Sequence, residues 1–277
     1  MRLSVIGTGY LGATHAASMA ELGHKVVGVD IDPIKIDRLA AGHVPFYEPG
    51  LPELLSKHVT SGALRFTTSI QTAAAFADLH FVCVGTPQKQ GEYAADLTLV
   101  DAAFLALREW VRPGAVVVGK STVPVGTATR LAALLRDAGV ELVWNPEFLR
   151  EGFAVEDTLR PDRIVIGATN DAARELLETA YAPILAAGTP VVRTDFATAE
   201  LVKVAANAFL ATKISFINAV AEVCEVAGAD VTQLAEAIGH DDRIGHKFLR
   251  AGLGFGGGCL PKDIRAFMAR AGELGVD

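Results

Sequence analysis

The stretch Arg2-Leu-Ser-Val-Ile-Gly-Thr-Gly-Tyr-Leu-Gly12 joins an apolar, strand-like run to the glycine pattern GxGxxG and opens a helix behind it. Gly7 permits a tight turn, Gly9 lets a pyrophosphate approach the backbone, and Gly12 permits close packing of helix on strand. The N-terminal N–H groups of the helix point at the phosphates. The pattern predicts a dinucleotide-binding turn, with a glycine turn in a non-binding α/β protein as the alternative. Its predicted cofactor-binding residues are Gly7, Gly9, Tyr10, Leu11 and Gly12.

The next apolar run ends in Asp30, eighteen residues after Gly12. A carboxylate at this place accepts hydrogen bonds from both ribose hydroxyls and repels a 2′-phosphate. The sequence therefore predicts NAD as the cofactor in preference to NADP. Lys35 either lies near the adenosine ribose or is a solvated helix lysine.

Short β-branched runs alternate with helical stretches through the first 195 residues. Such alternation produces a parallel sheet with helices on both faces. The predicted fold is α/β, a Rossmann-type doubly wound parallel sheet over residues 1–195. We expect strands at residues 3–6, 25–29, 64–67, 79–84, 115–120, 142–144 and 164–166, and helices after residues 9, 33, 51, 98 and 126.

A long helix is predicted from Thr198 to about Ala227, because the stretch has no Pro, no interior Gly, and Gly228 at the C-cap position. Such a helix joins domains or packs against its copy in a partner chain, and we expect a homodimer. Residues 196–277 form the second predicted region, a partial helical domain with a loop that carries a cysteine.

Composition narrows the class of protein. The 277 residues carry a net charge of −7 and no basic cluster, which argues against nucleic acid. Three cysteines without CxxC spacing predict neither disulfides nor a zinc site, and seven histidines show no ligand spacing, so no metal is expected. We expect a cytoplasmic protein with no membrane span.

The segment Gly252-Leu-Gly-Phe-Gly-Gly-Gly-Cys-Leu-Pro-Lys-Asp263 places one thiol among glycines. Bare backbone lets a substrate carbonyl come within bonding distance of Cys259, while Lys262 supplies positive charge and Asp263 can orient a water. The alternative is a loop with an incidental buried cysteine. Thr86 and Thr122 each follow a predicted strand, at the edge where ligands of open α/β sheets bind.

Taken together, these blocks resemble the UDP-glucose/GDP-mannose dehydrogenase family of nucleotide-sugar 6-dehydrogenases, over essentially the whole chain. Gly258 precedes the cysteine where many relatives have Ser. Family members also carry a C-terminal domain for the UDP half of the substrate, so we expect that this chain lacks that domain. The blocks are residues 7–12, 82–87, 120–127, 145–152, 160–167, 200–207 and 254–263.

The resemblance implies oxidation of C6 of UDP-glucose to UDP-glucuronate with two NAD⁺, through a thiohemiacetal and a thioester on Cys259. Lys203 and Asn207, one helical turn apart, would stabilise the oxyanion, with Lys203 also a possible base. Asp263 would polarise the hydrolytic water, together with Thr122. Glu147 would be the general base.

The resemblance also implies binding roles. Glu151 would lie near the nicotinamide, and Lys262 would contact NAD. The implied substrate-binding residues are Phe148, Leu149, Arg150, Glu151, Lys203, Asn207, Phe248, Leu249, Gly252 and Gly256.

Two other functions stay open from the sequence. One is the same chemistry on GDP-mannose or a UDP-N-acetyl-hexosamine. The other is a cofactor-binding and dimerising module without activity of its own. Each residue also has a structural alternative: Lys203 as a solvated lysine, Asn207 as a local cap, and Glu147 as an early-helix acid.

Overall fold

The computed structural model describes residues 1–276 and contains one eight-stranded sheet with the order β3-β2-β1-β4-β5-β6-β7-β8. Strands were expected at seven of these positions, and the eighth, at the edge of the sheet, was missed. The strands are β1 (Arg2–Ile6), β2 (Lys25–Val29), β3 (Leu64–Thr67), β4 (Leu79–Val82), β5 (Val116–Gly119), β6 (Glu141–Trp144), β7 (Ile164–Ala168) and β8 (Val191–Thr194).

Helices cover the strands, and the glycine turn lies between β1 and α1, as predicted. Several short helices between β3 and β8 were not anticipated. The helices are α1 (Tyr10–Glu21), α2 (Pro33–Ala40), α3 (Leu51–Thr60), α4 (Ile70–Phe76), α5 (Thr98–Arg108), α6 (Thr127–Arg136), α7 (Ala154–Leu159), α8 (Asp171–Ala180), α9 (Ala182–Ala186), α10 (Phe196–Ala227), α11 (Val231–Gly239) and α12 (Leu260–Glu273).

One pair of strands departs from the predicted all-parallel arrangement. Strand β7 runs antiparallel to β6, with Val143 opposite Ala168 and Trp144 opposite Gly167, and all other neighbouring strands are parallel. A parallel connection needs a crossover that returns the chain to the far edge of the sheet. Between β6 and β7 the only helix is the six-residue α7. The connection therefore stays at the carboxyl end of β6.

The core of the sheet is made by buried apolar residues on both faces. Leu3 and Val5 of β1, Phe81 of β4 and Val118 of β5 are fully buried in one apolar cluster. Burial of the central strands on both faces explains why their sequences are continuous β-branched runs. This buried platform holds the carboxyl ends of the strands at one edge.

Helix α10 is 32 residues long and ends at Gly228, whose φ of +71° is the left-handed conformation that favours glycine. Its start lies earlier than predicted, because Asp195 accepts a hydrogen bond from Thr198 N at 2.7 Å and so caps the first turn.

By length and composition alone, α10 is the one helix among residues 1–276 that could cross a membrane, with a mean hydropathy of 1.4. The sequence analysis had expected no such segment. Long core helices of globular proteins have the same length and hydropathy. Lys213, in the middle of the apolar stretch, donates to Ile244 O at 2.8 Å, so this face of the helix contacts its own chain.

The chain divides into two compact units. The first consists of Met1–Pro87 and Asp96–Leu201, and the second of Gln88–Ala95 and the chain from Val202 onward. The segment Gln88–Ala95 is called the excursion below. In the first unit, Asp96 N donates to Pro87 O at 2.7 Å and so joins the two residues that flank it. The division thus falls within α10, and the predicted boundary after residue 195 lies six residues before the division after Leu201.

Candidate active site

The three glycines of the turn after β1 have different surroundings. A Cβ on Gly12 would lie 1.8 Å from Gly7 O, and one on Gly7 would lie 2.8 Å from the Val84 side chain. Both positions are therefore closed to any side chain, and Gly7 also has a φ of +87°. A Cβ on Gly9 would meet no atom within 4 Å. The open side of the turn thus lies at Gly9, at the N-terminus of α1, where a phosphate fits.

Asp30 follows β2 and is buried. Its Oδ2 accepts hydrogen bonds from Thr8 N at 2.9 Å, Thr8 Oγ1 at 3.2 Å and Lys35 Nζ at 2.9 Å. Its Oδ1 accepts from Asp32 N at 3.2 Å, and a carboxylate oxygen has a second lone pair with which it can accept from a hydroxyl. Burial raises the pKa of Asp30, but these hydrogen bonds outweigh it and the pKa lies below its ordinary value. Lys35 is thus placed by the carboxylate, within the predicted ribose site.

The carboxyl ends of β4 and β5 are held together by two side-chain hydrogen bonds. Thr86 Oγ1 donates to Thr122 O at 2.8 Å, and Ser121 Oγ donates to Val84 O at 2.6 Å. The two predicted threonines therefore lie side by side at this edge of the sheet. Their loops contain Pro87 and Pro124, which have no backbone N–H to pair.

A buried lysine organises the segment after β6. Lys120 Nζ lies 3.1 Å from Glu147 Oε2 and 3.0 Å from Asn145 Oδ1, and Tyr181 OH donates to the same Asn145 oxygen at 2.8 Å. Burial lowers the pKa of Lys120, but the Glu147 carboxylate outweighs it and raises the pKa above its ordinary value. The lysine therefore stays charged. Burial raises the pKa of Tyr181 to about 12.

Glu147, the expected general base, is held on both carboxylate oxygens. Oε1 accepts from Phe148 N at 2.8 Å and from Leu149 N at 3.1 Å, while Oε2 pairs with Lys120. The side chain is turned back onto its own loop and half-buried. The structure therefore gives the carboxylate a fixed position at the carboxyl edge of the sheet.

A second carboxylate, missed by the sequence analysis, ties the glycine turn to the same loop. Glu48 is buried and accepts hydrogen bonds from the Tyr10 hydroxyl, from Gly152 N at 2.9 Å and from Ala154 N at 2.7 Å. Burial and the hydrogen bond to Glu48 raise the pKa of Tyr10 to about 12. Glu48 lies 38 residues from Tyr10, so no local pattern signals the contact.

The residues expected at the substrate after Glu147 are engaged with one another or with neighbours. The Arg150 guanidinium binds Asp157 with two hydrogen bonds, at 2.9 and 2.7 Å. Phe148 lies under the guanidinium of Arg163, 4.0 Å from the ring centroid. Leu149 is half-buried, and Glu151 is exposed.

In the second unit, the expected nucleophile stands at a helix N-terminus. Cys259 is exposed and occupies the N-cap position of α12, and its carbonyl oxygen accepts a hydrogen bond from Asp263 N at 2.9 Å. A negative charge on sulfur is favoured at such a place. Cys83 and Cys224, in contrast, are buried, and burial raises the pKa of Cys83 to about 12, so this thiol stays neutral.

Asp263 links two helices of this unit. Asn207 Nδ2 donates to its Oδ2 at 2.7 Å and Lys262 Nζ donates to its Oδ1 at 2.6 Å. The carboxylate is 2% exposed, and each of its two oxygens accepts one of these hydrogen bonds. Lys203 lies one turn before Asn207 on α10 and is half-buried.

The loop before Cys259 carries backbone conformations that glycine favours. Gly254 has a φ of +98° and Gly257 a φ of +77°, and Gly252 N donates to Asn218 Oδ1 at 2.8 Å. A Cβ on Gly252 or Gly256 would meet no atom within 4 Å, so the backbone there is open. Leu249 is buried and anchors the start of the loop.

Phe248 is the one non-glycine residue with positive φ among residues 1–276, at +64°. This conformation costs a bulky side chain about 1–2 kcal/mol. Such strain is typical of functional sites, where the surrounding structure enforces it. The strain thus marks a position that the family resemblance had singled out for substrate binding.

The excursion Gln88–Ala95 contributes to the second unit and was not anticipated. Gln88 and Ala95 form an antiparallel bridge, and Arg265 of α12 donates to Gln88 Oε1 at 3.2 Å. The same guanidinium lies 5.9 Å from the centroid of the Tyr93 ring. The excursion therefore packs on the helix that begins behind Cys259.

The expected site residues thus fall into one group in each unit. The first group contains Gly7, Gly9, Tyr10, Leu11, Gly12, Asp30, Lys35, Thr86, Thr122, Glu147, Phe148, Leu149, Arg150 and Glu151. The second contains Lys203, Asn207, Phe248, Leu249, Gly252, Gly256, Cys259, Lys262 and Asp263.

Comparison with known proteins matches both units to one family. The NAD binding domain of the UDP-glucose/GDP-mannose dehydrogenase family matches residues 1–185, and the central domain of that family matches residues 197–277. The UDP-glucose 6-dehydrogenase TuaD of Bacillus subtilis is 47% identical over 99% of this chain. The chain spans 60% of the length of that relative.

Solved structures give the same result. A UDP-glucose dehydrogenase from the hyperthermophilic archaeon Pyrobaculum islandicum superposes with a TM-score of 0.94 at 44% identity, over 99% of this chain and 65% of that one. The GDP-mannose dehydrogenase of Pseudomonas aeruginosa superposes with a TM-score of 0.83 at 34% identity, over 100% of this chain and 66% of that one.

Proposed function

Because the chain belongs to the UDP-glucose/GDP-mannose dehydrogenase family, we propose that it supplies the cofactor-binding and catalytic parts of an enzyme that oxidises UDP-glucose to UDP-glucuronate. The choice of sugar nucleotide is supported by identity: 47% and 44% to two proteins named for UDP-glucose, against 34% to one named for GDP-mannose.

The observation that carries the proposal is the set of groups around the first turn of α12. Cys259 is exposed at the helix N-terminus, and Asp263, one turn later, is buried and hydrogen-bonded by Asn207 and Lys262. A nucleophilic thiol and a carboxylate able to orient water are the two groups that formation and hydrolysis of a thioester require. A purely structural loop needs neither.

The residues around the glycine turn fit NAD. The open backbone at Gly9 admits the pyrophosphate, and Asp30 Oδ1 has acceptor capacity for a ribose hydroxyl. When bound, NAD⁺ would accept a hydride from C6 of the sugar in each of the two oxidations, with NADH replaced by a second NAD⁺ between them. Glu151 and Lys262 are proposed as further contacts to the cofactor.

The proposed reaction passes through an aldehyde, a thiohemiacetal and a thioester. A base removes the proton of the C6 hydroxyl as the first hydride leaves, and an aldehyde forms. The Cys259 thiolate adds to the aldehyde carbon, and the resulting alkoxide takes a proton to give a thiohemiacetal. Loss of that proton and of a second hydride gives a thioester. Water then attacks the thioester carbon, the C–S bond breaks, and a carboxylate and the thiol are released.

Side chains of the chain carry the proton transfers and the charge. Lys203 and Asn207 are proposed to stabilise the oxyanion, and Glu147 to act as general base. Asp263 and Thr122 are proposed to orient the hydrolytic water. Lys120 keeps the Glu147 carboxylate in place through the ion pair at 3.1 Å.

We also propose that α10 forms the interface of a homodimer. Phe209, Phe216 and Val223 recur every seven residues and are 64%, 53% and 66% exposed, so one face of the helix is apolar and uncovered. A second copy of the same helix offers the matching apolar face. Sedimentation at micromolar concentration should give a dimer, and Phe216→Asp should give a monomer. A wild-type monomer would contradict the interface.

An NADH-formation assay with a panel of sugar nucleotides tests the function. The 277-residue chain and the same chain completed to the length of its relatives should be compared. Turnover of UDP-glucose without turnover of GDP-mannose or a UDP-N-acetyl-hexosamine supports the proposal. NAD binding without turnover by the 277-residue chain alone would make it a cofactor-binding module that needs the remaining domain.

A further inference from the structure

Three side chains of metal-ligating type lie close together at the end of α11, and no step of the proposed reaction uses them. Glu236 lies on this helix, His240 is its C-cap residue, and His246 follows in the next loop. His240 Nε2 lies 3.4 Å from Glu236 Oε1, and His246 Nδ1 lies 3.6 Å from Glu236 Oε2. One ligand atom from each of the three residues lies within 4.8 Å of the other two.

These separations correspond to the edges of a metal-coordination polyhedron. They exceed the range of about 2.7–3.2 Å for N–H···O hydrogen bonds. Two ligands each about 2.1 Å from a zinc ion and separated by a tetrahedral angle lie about 3.4 Å apart. The pairs at 3.4 and 3.6 Å, one to each carboxylate oxygen of Glu236, therefore each have the spacing of two ligands of one tetrahedral ion.

The loop that carries His246 is held in place. Ile244 N and Gly245 N donate to Asp241 O at 2.8 and 2.9 Å, and Lys213 Nζ donates to Ile244 O at 2.8 Å. These contacts fix the turn between α11 and His246. The imidazole is thus presented by ordered backbone.

The His246 ring also packs against the end of α11. A Cβ on Gly239 would lie 2.3 Å from His246 Nδ1, so only glycine leaves room for the ring at this place. The rings of His240 and His246 are nearly perpendicular, with centroids 4.9 Å apart. Absence of a side chain at Gly239 is therefore what lets the third ligand reach the other two.

We propose that Glu236, His240 and His246 bind a divalent transition-metal ion, with Zn²⁺ as the favoured species. Two imidazoles and one carboxylate suit Zn²⁺, Co²⁺ and Ni²⁺, whereas Mg²⁺ and Ca²⁺ prefer oxygen ligands. Three protein ligands leave a fourth position for water or another ligand. The ion would join α11 to the loop 241–246. The sequence predicted no metal, because the seven histidines, His240 and His246 among them, show no ligand spacing. Glu236 was not weighed with them, and the fold brings the three side chains together.

Titration of the tag-free 277-residue chain with Co²⁺ and Zn²⁺ tests the site. We expect one ion per chain by calorimetry, and visible d–d absorption of Co²⁺ typical of nitrogen and oxygen ligands. His240→Gln, His246→Gln and Glu236→Gln should each weaken binding at least about tenfold. His43→Gln, at an exposed histidine of the first unit, is the matched control and should leave binding unchanged.

Gly239→Ala retains all three ligands but displaces the His246 ring, and it should also weaken binding. Circular dichroism shows whether each variant is folded. Absence of one-to-one binding by the wild-type chain at millimolar metal, or equal binding by the folded His240→Gln and His246→Gln variants, would overturn the proposal. Loss of binding in Cys259→Ser with retention in His240→Gln would assign the metal to the thiol and overturn it too. These readouts need no catalytic turnover, so they are independent of the proposed function.

Discussion

Asn207 of α10 donates its amide N–H to the buried carboxylate of Asp263 in α12, at 2.7 Å. Asn207 is itself buried, so its amide cannot exchange this partner for water. The hydrogen bond therefore couples the middle of α10 to the first turn of the helix that begins behind Cys259.

Removal of this amide should destabilise the protein. In Asn207→Ala, Asp263 loses the side-chain donor at 2.7 Å, and the free energy of unfolding should fall by about 1–3 kcal/mol. Chemical denaturation measures the change. Thr212→Ala is the control on the same helix, because its hydroxyl is exposed and donates only to Ala208 O of its own helix. A loss in Thr212→Ala equal to that in Asn207→Ala would show that the Asp263 contact contributes nothing.

Cys259→Ser should separate the two oxidations. The first hydride transfer needs a base and NAD but no thiol, whereas the second needs a thiolate, which forms far more readily than a serine alkoxide near neutral pH. In the chain completed to the length of its relatives, the variant should stall before the acid. Mass spectrometry of wild type quenched during turnover should show a sugar-nucleotide adduct on the Cys259 peptide. Acid formation by the variant at the wild-type rate would exclude covalent catalysis.

Asp30→Ala should lower the affinity for NAD and reduce the difference between the affinities for NAD and NADP. The variant removes an acceptor for the ribose hydroxyl and the negative charge that repels a 2′-phosphate. We expect an affinity loss for NAD of about tenfold or more, as for other hydrogen bonds to charged groups. Calorimetric titration of both cofactors measures it, with the exposed Asp37→Ala on α2 as control. Equal affinities of wild type and Asp30→Ala for both cofactors would remove Asp30 from the site.

Lys120→Met should destabilise the first unit strongly. Lys120 is 3% exposed and lies within hydrogen-bonding distance of Glu147 and Asn145, so its loss leaves a half-buried carboxylate without its cation. Breaking such a pair typically costs about 3–5 kcal/mol. The exposed pair of Lys57 with Glu21 provides the control, since Lys57→Met should cost less than about 1 kcal/mol. Similar losses in both variants would contradict the central position of Lys120.

Acid should destabilise the fold through His80. Burial lowers the pKa of His80 to about 4, from 6.5, so below pH 6.5 the unfolded chain binds a proton that the folded chain does not. Stability is therefore complete above pH 6.5 and falls as the pH approaches 4, by about 2 kcal/mol at pH 5 for this group. Burial also lowers the pKa of His15 and His24, which act in the same direction.

Thermal unfolding between pH 8 and 4 measures this dependence. His80→Gln should flatten part of the decline, and the exposed His43→Gln should not. An identical pH dependence in wild type and His80→Gln would show that this histidine titrates alike in both states.

A local sequence pattern predicts those parts of the fold in which a single physical requirement, such as burial or the lack of room for a Cβ atom, decides the residue type. Buried central strands read as β-branched runs, and Gly7 and Gly12 stand where any Cβ would clash. Strand β8 was missed although three of its four residues, Val191-Val-Arg-Thr194, are β-branched, because Arg193 interrupts the apolar run and all four residues are half-buried or exposed. The antiparallel β7 was missed because strand direction depends on the path of the connection, which no short pattern encodes.

The site shows the same division. The positions around Cys259 could be named because their spacing and residue types follow a family. Glu48 and Lys120 were not assigned roles, since their partners lie 104 and 25 residues away, at Gly152 and Asn145. Only the fold brings these groups together, and neither stands in a periodic pattern.

The excursion at Gln88–Ala95 makes connectivity and architecture disagree. A fragment that begins at Val202 would contain Arg265 but neither Gln88 nor Tyr93. It would therefore lose the contacts that Arg265 makes with the excursion, although Gln88 and Tyr93 lie far from Val202 in the sequence. The hydrogen bond between Asp96 N and Pro87 O joins the two chain segments that flank the excursion. These eight residues are therefore an insertion between two segments of the first unit. The excursion therefore belongs to the first unit by its place in the sequence and to the second unit by its contacts.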